Sequence, residues 1–310
     1  MHVFVAGGSG VLGRPLVQQL VTLGHQVTAS THSDRTASLV RQLGAEPVVL
    51  DAFDRDAVHA AVLRARPEVL VNQLTSLSTP ATDHARWLAT TNRLRAEASA
   101  TLAQAARAAG TRRVVAQSAS FMTAPDAPAP TDERSPLYTG APEPVLGHVL
   151  ANAALERVVT GTPDVEGVVL RYGFLYGPGT ALGPGGELWE AVRAGRVPVV
   201  GEGRGSYPFV HTLDAVAATV LAVEQGPAGV YNVVDDDPAA QARWLPHLAR
   251  LLHAPEPGRS TAADAGRQQG AQAVYYGEQL PPASNAAARE HLGWRPRLAS
   301  WQEGFATLVA

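Results

Sequence analysis

Apolar positions along the chain follow two different periods. Short strand-like runs, most of them rich in apolar residues, lie near residues 3–6, 26–30, 47–50, 68–72, 113–117, 167–172 and 229–234. Between most of these runs, apolar residues recur at helical spacing, near 11–23, 34–43, 54–65, 85–109, 147–160 and 212–225. Alternation of strands and helices predicts an α/β fold, with a doubly wound parallel sheet of the Rossmann type.

Glycines mark several of the predicted helix ends. Gly24, Gly44 and Gly110 stand where C-terminal caps belong. Two stretches rich in Pro, Ala or Gly, 122–136 and 175–205, break the alternation, apart from a predicted helix at 186–194. We expect both stretches to be loops or cap segments over a site.

The C-terminal quarter has a different pattern from the rest of the chain. Its helical periods lie near 240–252, 285–292 and 300–309, with prolines between them, and Asp235, Asp236 and Asp237 predict a solvated turn. We therefore predict a dinucleotide-binding domain and a smaller, interleaved C-terminal substrate lobe. The domain takes residues 1–174 and 206–234, and the lobe takes 175–205 and 235–310.

The first predicted strand runs into a glycine-rich turn and then a helix. Gly7, Gly10 and Gly13 are three residues apart. Glycine lets the backbone approach a pyrophosphate closely, and the start of a helix offers unpaired N–H groups to it. The alternative is a tight turn without a ligand. We expect dinucleotide contacts from Gly7, Ser9, Gly10, Val11, Leu12 and Gly13.

The end of the second strand bears on the type of dinucleotide. An NAD site commonly has an acidic residue there, whereas this chain has Thr31, with Arg35 close behind it. A neutral residue and a nearby cation favour the 2′-phosphate of NADP over NAD. The alternative is that Asp34 caps the next helix and that Arg35 is simply solvated.

Composition narrows the partners to a small molecule. The chain has 310 residues, a net charge of −3, no cysteine, and only arginine among its 25 basic residues. No basic stripe indicates nucleic acid, no apolar run reaches a membrane span, and the histidines lack metal-ligand spacing. We expect no metal, no membrane and no nucleic-acid partner, and a cytoplasmic location.

Several motifs, in order along the chain, resemble the extended short-chain dehydrogenase/reductases, which include NAD-dependent epimerases and dehydratases. They are the glycine turn, Val48 to Asp51, Arg171 to Gly179, Phe209 to Asp214, Val230 to Val233 and Leu292 to Pro296. The resemblance covers nearly the whole length. It implies a nicotinamide cofactor, with Asp51 and Ala52 near its adenine ring and further contacts from Gln73 and Leu74.

The resemblance fails at the family's Tyr-x-x-x-Lys pair. Counted back from Glu156, the Tyr and Lys positions fall on His148 and Asn152. The lysine normally lowers the pKa of the tyrosine and holds the nicotinamide ribose, so both effects are lost. A further departure is Glu97, Ala98 and Ser99, where Asn followed by Gly and Thr is common.

Several residues could take over the roles of the missing Tyr and Lys, and each also has a purely structural explanation. We take Ser118, Ser120, His148, Asn152 and Tyr176 as candidate catalytic residues. The alternatives are serines that bond turn backbone, a plain surface histidine, and aromatic packing between lobes for Tyr172 and Tyr176. We expect Arg171 to form a buried ion pair, and His211 and Asp214 to organise a loop and a helix start. Tyr275 and Tyr276 could line the substrate pocket, and Tyr138 is a further candidate phenol.

Three functions follow from these features. The first is an NAD(P)-binding epimerase, dehydratase or reductase with a rearranged site, acting on a sugar-like molecule or a secondary metabolite. The second is a redox-neutral acid–base enzyme, such as a cyclase, isomerase or lyase, with His148 as the acting group. The third is a non-catalytic dinucleotide sensor. The long helices 85–109 and 147–160 resemble those through which relatives pair, and they indicate a homodimer.

Overall fold

The fold is built on seven parallel strands. A computed structural model describes residues 1–76 and 84–309. Within these ranges the strands are β1 His2–Ala6, β2 Gln26–Thr31, β3 Glu46–Val49, β4 Val69–Asn72, β5 Arg113–Ala119, β6 Glu166–Tyr172, β7 Phe174–Tyr176, β8 Val199–Val200, β9 Ser206–Tyr207, β10 Phe209–His211, β11 Gly229–Val233, β12 Ala239–Ala240 and β13 Arg259–Ser260. The central sheet has the order β11-β6-β5-β4-β1-β2-β3. All its neighbours are parallel, so the predicted doubly wound sheet is confirmed.

Helices cover both faces of this sheet. In the described residues they are α1 Gly13–Thr22, α2 Asp34–Gln42, α3 Arg55–Ala65, α4 His84–Arg93, α5 Ser99–Ala108, α6 Val145–Gly161, α7 Glu187–Arg193, α8 Thr212–Glu224, α9 Gln241–Leu251, α10 Ala262–Gln269, α11 Ala271–Val274, α12 Ala286–His291 and α13 Trp301–Thr307. Two segments, Leu94–Ala98 and Tyr275–Gln279, are π-helical. Gly24, Gly44 and Gly110 have φ of 82°, 86° and 72°, which confirms them as left-handed ends of helices.

Alternation along the first strand explains how the two faces form. Val3 and Val5 pack with α1 and α8 on one face, while Phe4 packs with α3, α5 and α6 on the other. Because a strand points successive side chains to opposite faces, a continuously apolar strand fits only a sheet that is covered on both sides. Each fully buried aliphatic side chain contributes about 1.5–3 kcal/mol to folding.

A third core lies outside the two sheet faces and is rich in aromatic residues. Tyr176, Trp189, Phe209, Trp244 and Phe305 are among its buried members. This core is consistent with a second lobe. The lobe boundaries themselves stay a prediction, and the strand pair β7 and β10 spans them, because β7 runs over residues 174–176 and β10 over 209–211.

Two features of the structure differ from the sequence prediction. The predicted helix 85–109 is interrupted by the π-helical turn Leu94–Ala98. The predicted solvated turn at Asp235 to Asp237 is wrong for its first member, because Asp235 is only 2% exposed and its backbone N–H donates to Phe209 O at 2.7 Å.

Candidate functional site

The glycine turn between β1 and α1 is closed by its own backbone. Gly7 has φ of 84°, and the Gly10 N–H donates to Gly7 O at 3.0 Å. A Cβ at Gly13 would lie 2.1 Å from Gly7 O, so any side chain there would push α1 away from the turn. The helix starts without a side-chain cap, at Leu12. The Arg14 N–H donates to Gly10 O at 3.0 Å and Pro15 has no N–H, so the N–H groups from Val11 to Gly13 are the ones left to bind an anion, and the turn fits a dinucleotide pyrophosphate.

The other predicted cofactor residues lie at the carboxyl ends of neighbouring strands. Thr31 ends β2, and its hydroxyl bonds Ser9 Oγ at 2.9 Å. Asp51 and Ala52 follow β3, while Gln73 and Leu74 follow β4. The Gln73 side-chain amide donates to Tyr172 Oη at 3.1 Å, and its Oε1 is buried without a partner among the described residues. Val11 and Leu12 complete the turn before α1. The fold thus gathers the whole predicted set at one edge of the sheet.

The start of α2 bears on the alternative in which Asp34 caps this helix and Arg35 is solvated. Ser33, not Asp34, is the N-cap, and its hydroxyl accepts from the Thr36 N–H at 3.4 Å. The capping part of that alternative is therefore wrong, whereas its other part, a solvated Arg35, agrees with the structure. Arg35 lies exposed in the first turn of α2 and takes part in none of the described ion pairs.

Three of the candidate catalytic residues meet between β5 and α6. Ser118 Oγ lies 2.7 Å from Glu156 Oε1 and 3.1 Å from Asn152 Oδ1, and its one proton serves one of them at a time. Asn152 Nδ2 donates to His148 O at 2.8 Å. Arg171 pairs with Glu156 through two hydrogen bonds of 2.8 and 2.7 Å, which confirms the buried ion pair. These contacts fix α6 against the sheet.

His148 is buried and electrically neutral. Burial and the positive charge of Arg95 both lower the pKa of His148 well below 6.5. Arg95 Nη1 lies 3.0 Å from His148 Nδ1, and arginine carries only donors, so Nδ1 accepts and Nε2 holds the ring proton. The neighbour of Nε2 at 3.4 Å is Asn152 Nδ2, itself a donor. The Nε2–H of His148 therefore has no acceptor among the described residues, and the ring is not a cationic acid.

The other two candidate catalytic residues lie apart from this group. Ser120 Oγ reaches only Tyr172 O, at 3.4 Å, in line with the backbone-bonding alternative. Tyr176 is completely buried in the third core, edge-on to Phe209, His211 and Phe305. Its position agrees with the packing alternative. As expected, His211 is the N-cap of α8, where it accepts from the Leu213 N–H at 3.2 Å.

Arg95 is the residue at this site that the sequence reasoning missed. It lies in the π-helical turn and is 5% exposed. Burial lowers the pKa of Arg95 to about 10, which keeps it protonated at neutral pH. The sequence could have indicated it, because Arg95 stands at helical spacing from Thr91, Leu94 and Ala98, which lie on the buried side of the helix. An arginine in the core phase of a helix needs a partner or a ligand.

Aromatic side chains stand beside this group. The Phe121 ring stacks on His148 with centroids 5.5 Å apart and on Phe174 at 4.2 Å. Tyr276 meets Phe174 edge-on at 5.5 Å. We call Phe121, Phe174 and Tyr276 the aromatic wall; each of the three is partly exposed. Tyr275 is buried and donates to Thr123 O at 2.6 Å, so Tyr276 is the one of the pair that faces the site.

Two further observations concern residues 1–76 and 84–309 as a whole. No group of three or more His, Asp or Glu side chains in these ranges is placed to hold a metal ion. None of their helices combines the length and the apolar character needed to cross a membrane.

The sequence model of the NAD dependent epimerase/dehydratase family matches residues 3–234. A Streptomyces protein named 3-diazoavenalumate denitrifying reductase is 46% identical over 98% of this chain and 99% of its own length. A Stigmatella aurantiaca ketoreductase, named for a 4-hydroxy-2-methyl-3-oxo-4-farnesyl-3,4-dihydroquinoline-1-oxide substrate, is 32% identical over 79% of this chain and 71% of its own.

Solved structures agree on the fold. A Thermotoga maritima UDP-glucose 4-epimerase is 20% identical and superposes with a TM-score of 0.79 over 100% of this chain and 97% of its own. A Streptomyces venezuelae dTDP-glucose 4,6-dehydratase is also 20% identical, with a TM-score of 0.77 over 100% and 96%. At this identity the likeness shows the shared fold and not a shared substrate.

Proposed function

Because the chain belongs to the NAD-dependent epimerase/dehydratase family and is an enzyme of its epimerase, dehydratase and reductase type, we propose that it reduces a diazo-substituted aromatic secondary metabolite with loss of N₂. The observation that carries this proposal is the 46% identity, over essentially both full lengths, to a protein named as a denitrifying reductase. The aromatic wall fits a planar ring of such a substrate.

The chemistry also suits the missing catalytic pair. When bound, the reduced dinucleotide supplies a hydride, which takes the place of N₂ on the ring carbon. The C–N bond breaks, N₂ leaves with its electron pair, and no proton enters the balance. A ketone, by contrast, needs a proton donor for the alkoxide that forms. A site with His148 and Asn152 in place of Tyr and Lys lacks the family's proton donor, which a ketone needs and a diazonium ion does not need.

The residues of the chain then have separate tasks. The glycine turn and the N–H groups from Val11 to Gly13 would hold the pyrophosphate, and Thr31 and Arg35 would face a 2′-phosphate. We keep NADP over NAD as part of the proposal. His148 would donate its Nε2 proton as a hydrogen bond to a substrate oxygen, without ionising. Ser118 and Asn152 would hold α6 in place through Glu156.

The direct test follows an isotope from cofactor to product. The protein is incubated with an aryl diazonium salt and NADPH that carries deuterium at C4 of the nicotinamide, and the product is analysed by mass spectrometry. We expect one deuterium on the carbon that carried N₂, with one N₂ released per NADPH oxidised. A product without deuterium, or NADPH consumption without N₂, would overturn the proposal. A boiled sample controls for chemical reduction.

Ketone reduction is the second candidate, and the electrostatic interaction of Arg95 with Tyr276 favours it. Burial raises the pKa of Tyr276 to about 12, although the charge of Arg95 acts in the opposite direction, and the two could replace the family's phenol and ammonium. The ketoreductase relative gives this alternative a precedent in sequence. A solvent isotope effect separates the two reactions, because only ketone reduction moves a proton from solvent. Activity on a ketone panel that is lost in Tyr276→Phe would favour this candidate.

Three further points belong to the same proposal. We propose a homodimer that pairs through α6, and a cytoplasmic location, since reduced nicotinamide dinucleotides are intracellular reductants. We also keep the division of the chain at residues 174, 205 and 234. The redox-neutral alternative has less support with His148 as the base, because Nδ1, the ring nitrogen without a proton, already accepts from Arg95.

A further inference from the structure

We propose that Arg95 binds an anionic oxygen of a planar aromatic substrate whose ring lies against Phe121, Phe174 and Tyr276. The inference rests on the proposed function for the identity of the substrate, and it adds the group on the substrate that is recognised. The anionic oxygen belongs to a carboxylate or to a phenolate, which present the same acceptor to a guanidinium.

The first argument is the missing counter-ion. Three arginines are buried among the described residues: Arg95, Arg113 and Arg171. Arg113 pairs with Glu166 at 2.6 Å, and Arg171 pairs with Glu156 at 2.7 Å. Arg95 has no carboxylate within ion-pair distance in residues 1–76 and 84–309. Burying an unpaired charge costs several kcal/mol, which an anionic ligand would offset.

The second argument is the set of donors that Arg95 leaves unused. Its Nη1 donates to His148 Nδ1 at 3.0 Å. Its Nε is buried without a partner among the described residues, and its Nη2 takes part in none of the described hydrogen bonds. A guanidinium presents its donors as a planar fork that fits two oxygens, or one oxygen with two contacts. Most of this fork is therefore free for a ligand.

The third argument is the position of Arg95 in the backbone. Arg95 lies in the π-helical turn Leu94–Ala98, and Tyr276 lies in the second one, Tyr275–Gln279. The two side chains are close enough for the charge of Arg95 to affect the pKa of Tyr276. Such turns insert one residue into a helix and are frequent at functional sites. Arg95 contacts His148 directly, and Tyr276 contacts Phe121, the ring that stacks on His148.

The aromatic wall supplies the remaining part of the recognition. Phe121 and Phe174 stack with an interplanar angle of 20°, and Tyr276 closes the group edge-on, at 83° to Phe121 and 89° to Phe174. Rings in such arrangements favour a further planar ring by offset or edge contacts, which contribute beyond the burial of apolar area. One fixed cation beside apolar faces selects an aromatic anion over a neutral arene or a polyhydroxylated sugar.

Binding of unreactive probes tests the inference without turnover. Dissociation constants are measured by calorimetry on the NADP-loaded protein with cinnamate, with cinnamamide as its uncharged equivalent, and with 4-nitrophenolate. We expect the wild type to bind at least one of the two anions about tenfold or more tightly than cinnamamide. Preference for cinnamate identifies the carboxylate, and preference for 4-nitrophenolate identifies the phenolate.

Variants then assign the preference to Arg95. Arg95→Gln should bring the anion and the amide to equal affinity, and Arg95→Lys should keep part of the difference. Arg93→Gln is the matched control, two residues away, exposed and paired with Glu97, and it should leave the preference unchanged. Equal loss for anion and amide, or an unchanged preference in Arg95→Gln, would overturn the inference.

Two further results distinguish failure of this inference from misfolding of the variant and from failure of the proposed function. Should Arg95→Gln fail to fold, a crystal structure of the wild type with the preferred anion decides: an oxygen at hydrogen-bond distance from Arg95 supports the inference, and binding elsewhere overturns it. Charge-dependent binding without diazonium reduction would retain this inference and reject the proposed function. Reduction by a protein that binds anion and amide alike would do the reverse.

Discussion

Burial and the neighbouring charge of Arg95 keep His148 neutral, since both lower the pKa of its imidazole well below 6.5. Tyr276 stays protonated, with its pKa raised to about 12. Neither group titrates between about pH 6 and pH 8, so we expect kcat/KM for diazonium reduction to vary by less than about twofold across that range. Steady-state rates in buffers of constant ionic strength check this. An inflection near pH 6.5 would show that an ionising histidine takes part.

Arg35 is expected to discriminate between the two dinucleotides. It is exposed at the start of α2 and has no described ion-pair partner, so a 2′-phosphate could use its full charge. Arg35→Gln should raise the Kd for NADPH about tenfold, as one charge-assisted hydrogen bond of about 1.5–3 kcal/mol allows, and leave NADH within about twofold. Arg41→Gln, at the exposed end of the same helix, is the control. Fluorescence titration showing tighter NADH than NADPH binding to the wild type would contradict NADP preference.

At the scale of elements, the Glu156 and Arg171 pair joins α6 to β6, and Ser118 brings in β5. Glu156→Gln would leave the charge of Arg171 buried without compensation, and we expect the free energy of unfolding to fall by about 3 kcal/mol or more. The double variant Glu156→Leu/Arg171→Met should recover most of that loss. Breaking the exposed pair by Glu97→Gln should cost less than about 1 kcal/mol. Urea denaturation measures all three; equal losses at both pairs would refute the assignment.

The elements also show what a sequence pattern can and cannot reveal. Runs rich in apolar residues predicted the seven sheet strands, because the strands of a parallel sheet are mostly covered on both faces; β2, with Thr28 and Ser30, and the partly exposed edge strand β3 are the exceptions. The π-helical turn at Leu94–Ala98 was missed, since one inserted residue shifts the helical period too little to register over a long helix. Helix α10 was missed because Ala262–Gln269 is largely polar and short. The site followed the same division: its glycine turn is a local motif, whereas the contact of Arg95 with His148 joins residues far apart in the chain.

For the whole molecule, Asp235 ties stability to pH. Burial raises the pKa of Asp235 from 3.8 to about 8. Between these values the native state keeps a proton that the unfolded state has lost, so the free energy of unfolding falls as the pH rises. Asp235→Asn keeps the shape of the protonated group and should flatten this slope, stabilising the protein at pH 8 by about 1 kcal/mol or more relative to pH 5. Denaturation at several pH values tests it, with the less buried Asp237→Asn as control. An unchanged slope in Asp235→Asn would contradict the prediction.

The surface of α6 bears on the proposed homodimer. Helix α6 carries an exposed Leu150, with 51% of its surface accessible, and the partly exposed Leu146 and Ala153 lie four residues before it and three after it. Residues at these spacings share one side of a helix, so the proposed pairing of α6 with α6 of a second copy would bury Leu150 twice.

At about 1.5–3 kcal/mol for each buried leucine, Leu150→Arg should turn the dimer into a monomer at micromolar concentration. Leu213→Arg is the matched control, because Leu213 is 55% exposed on α8, a helix that lies on the opposite face of the sheet from α6. Light scattering coupled to size exclusion should give twice the chain mass for the wild type and the control, and the single mass for Leu150→Arg. A monomeric wild type would reject the pairing, and a dimeric Leu150→Arg would place it on another surface.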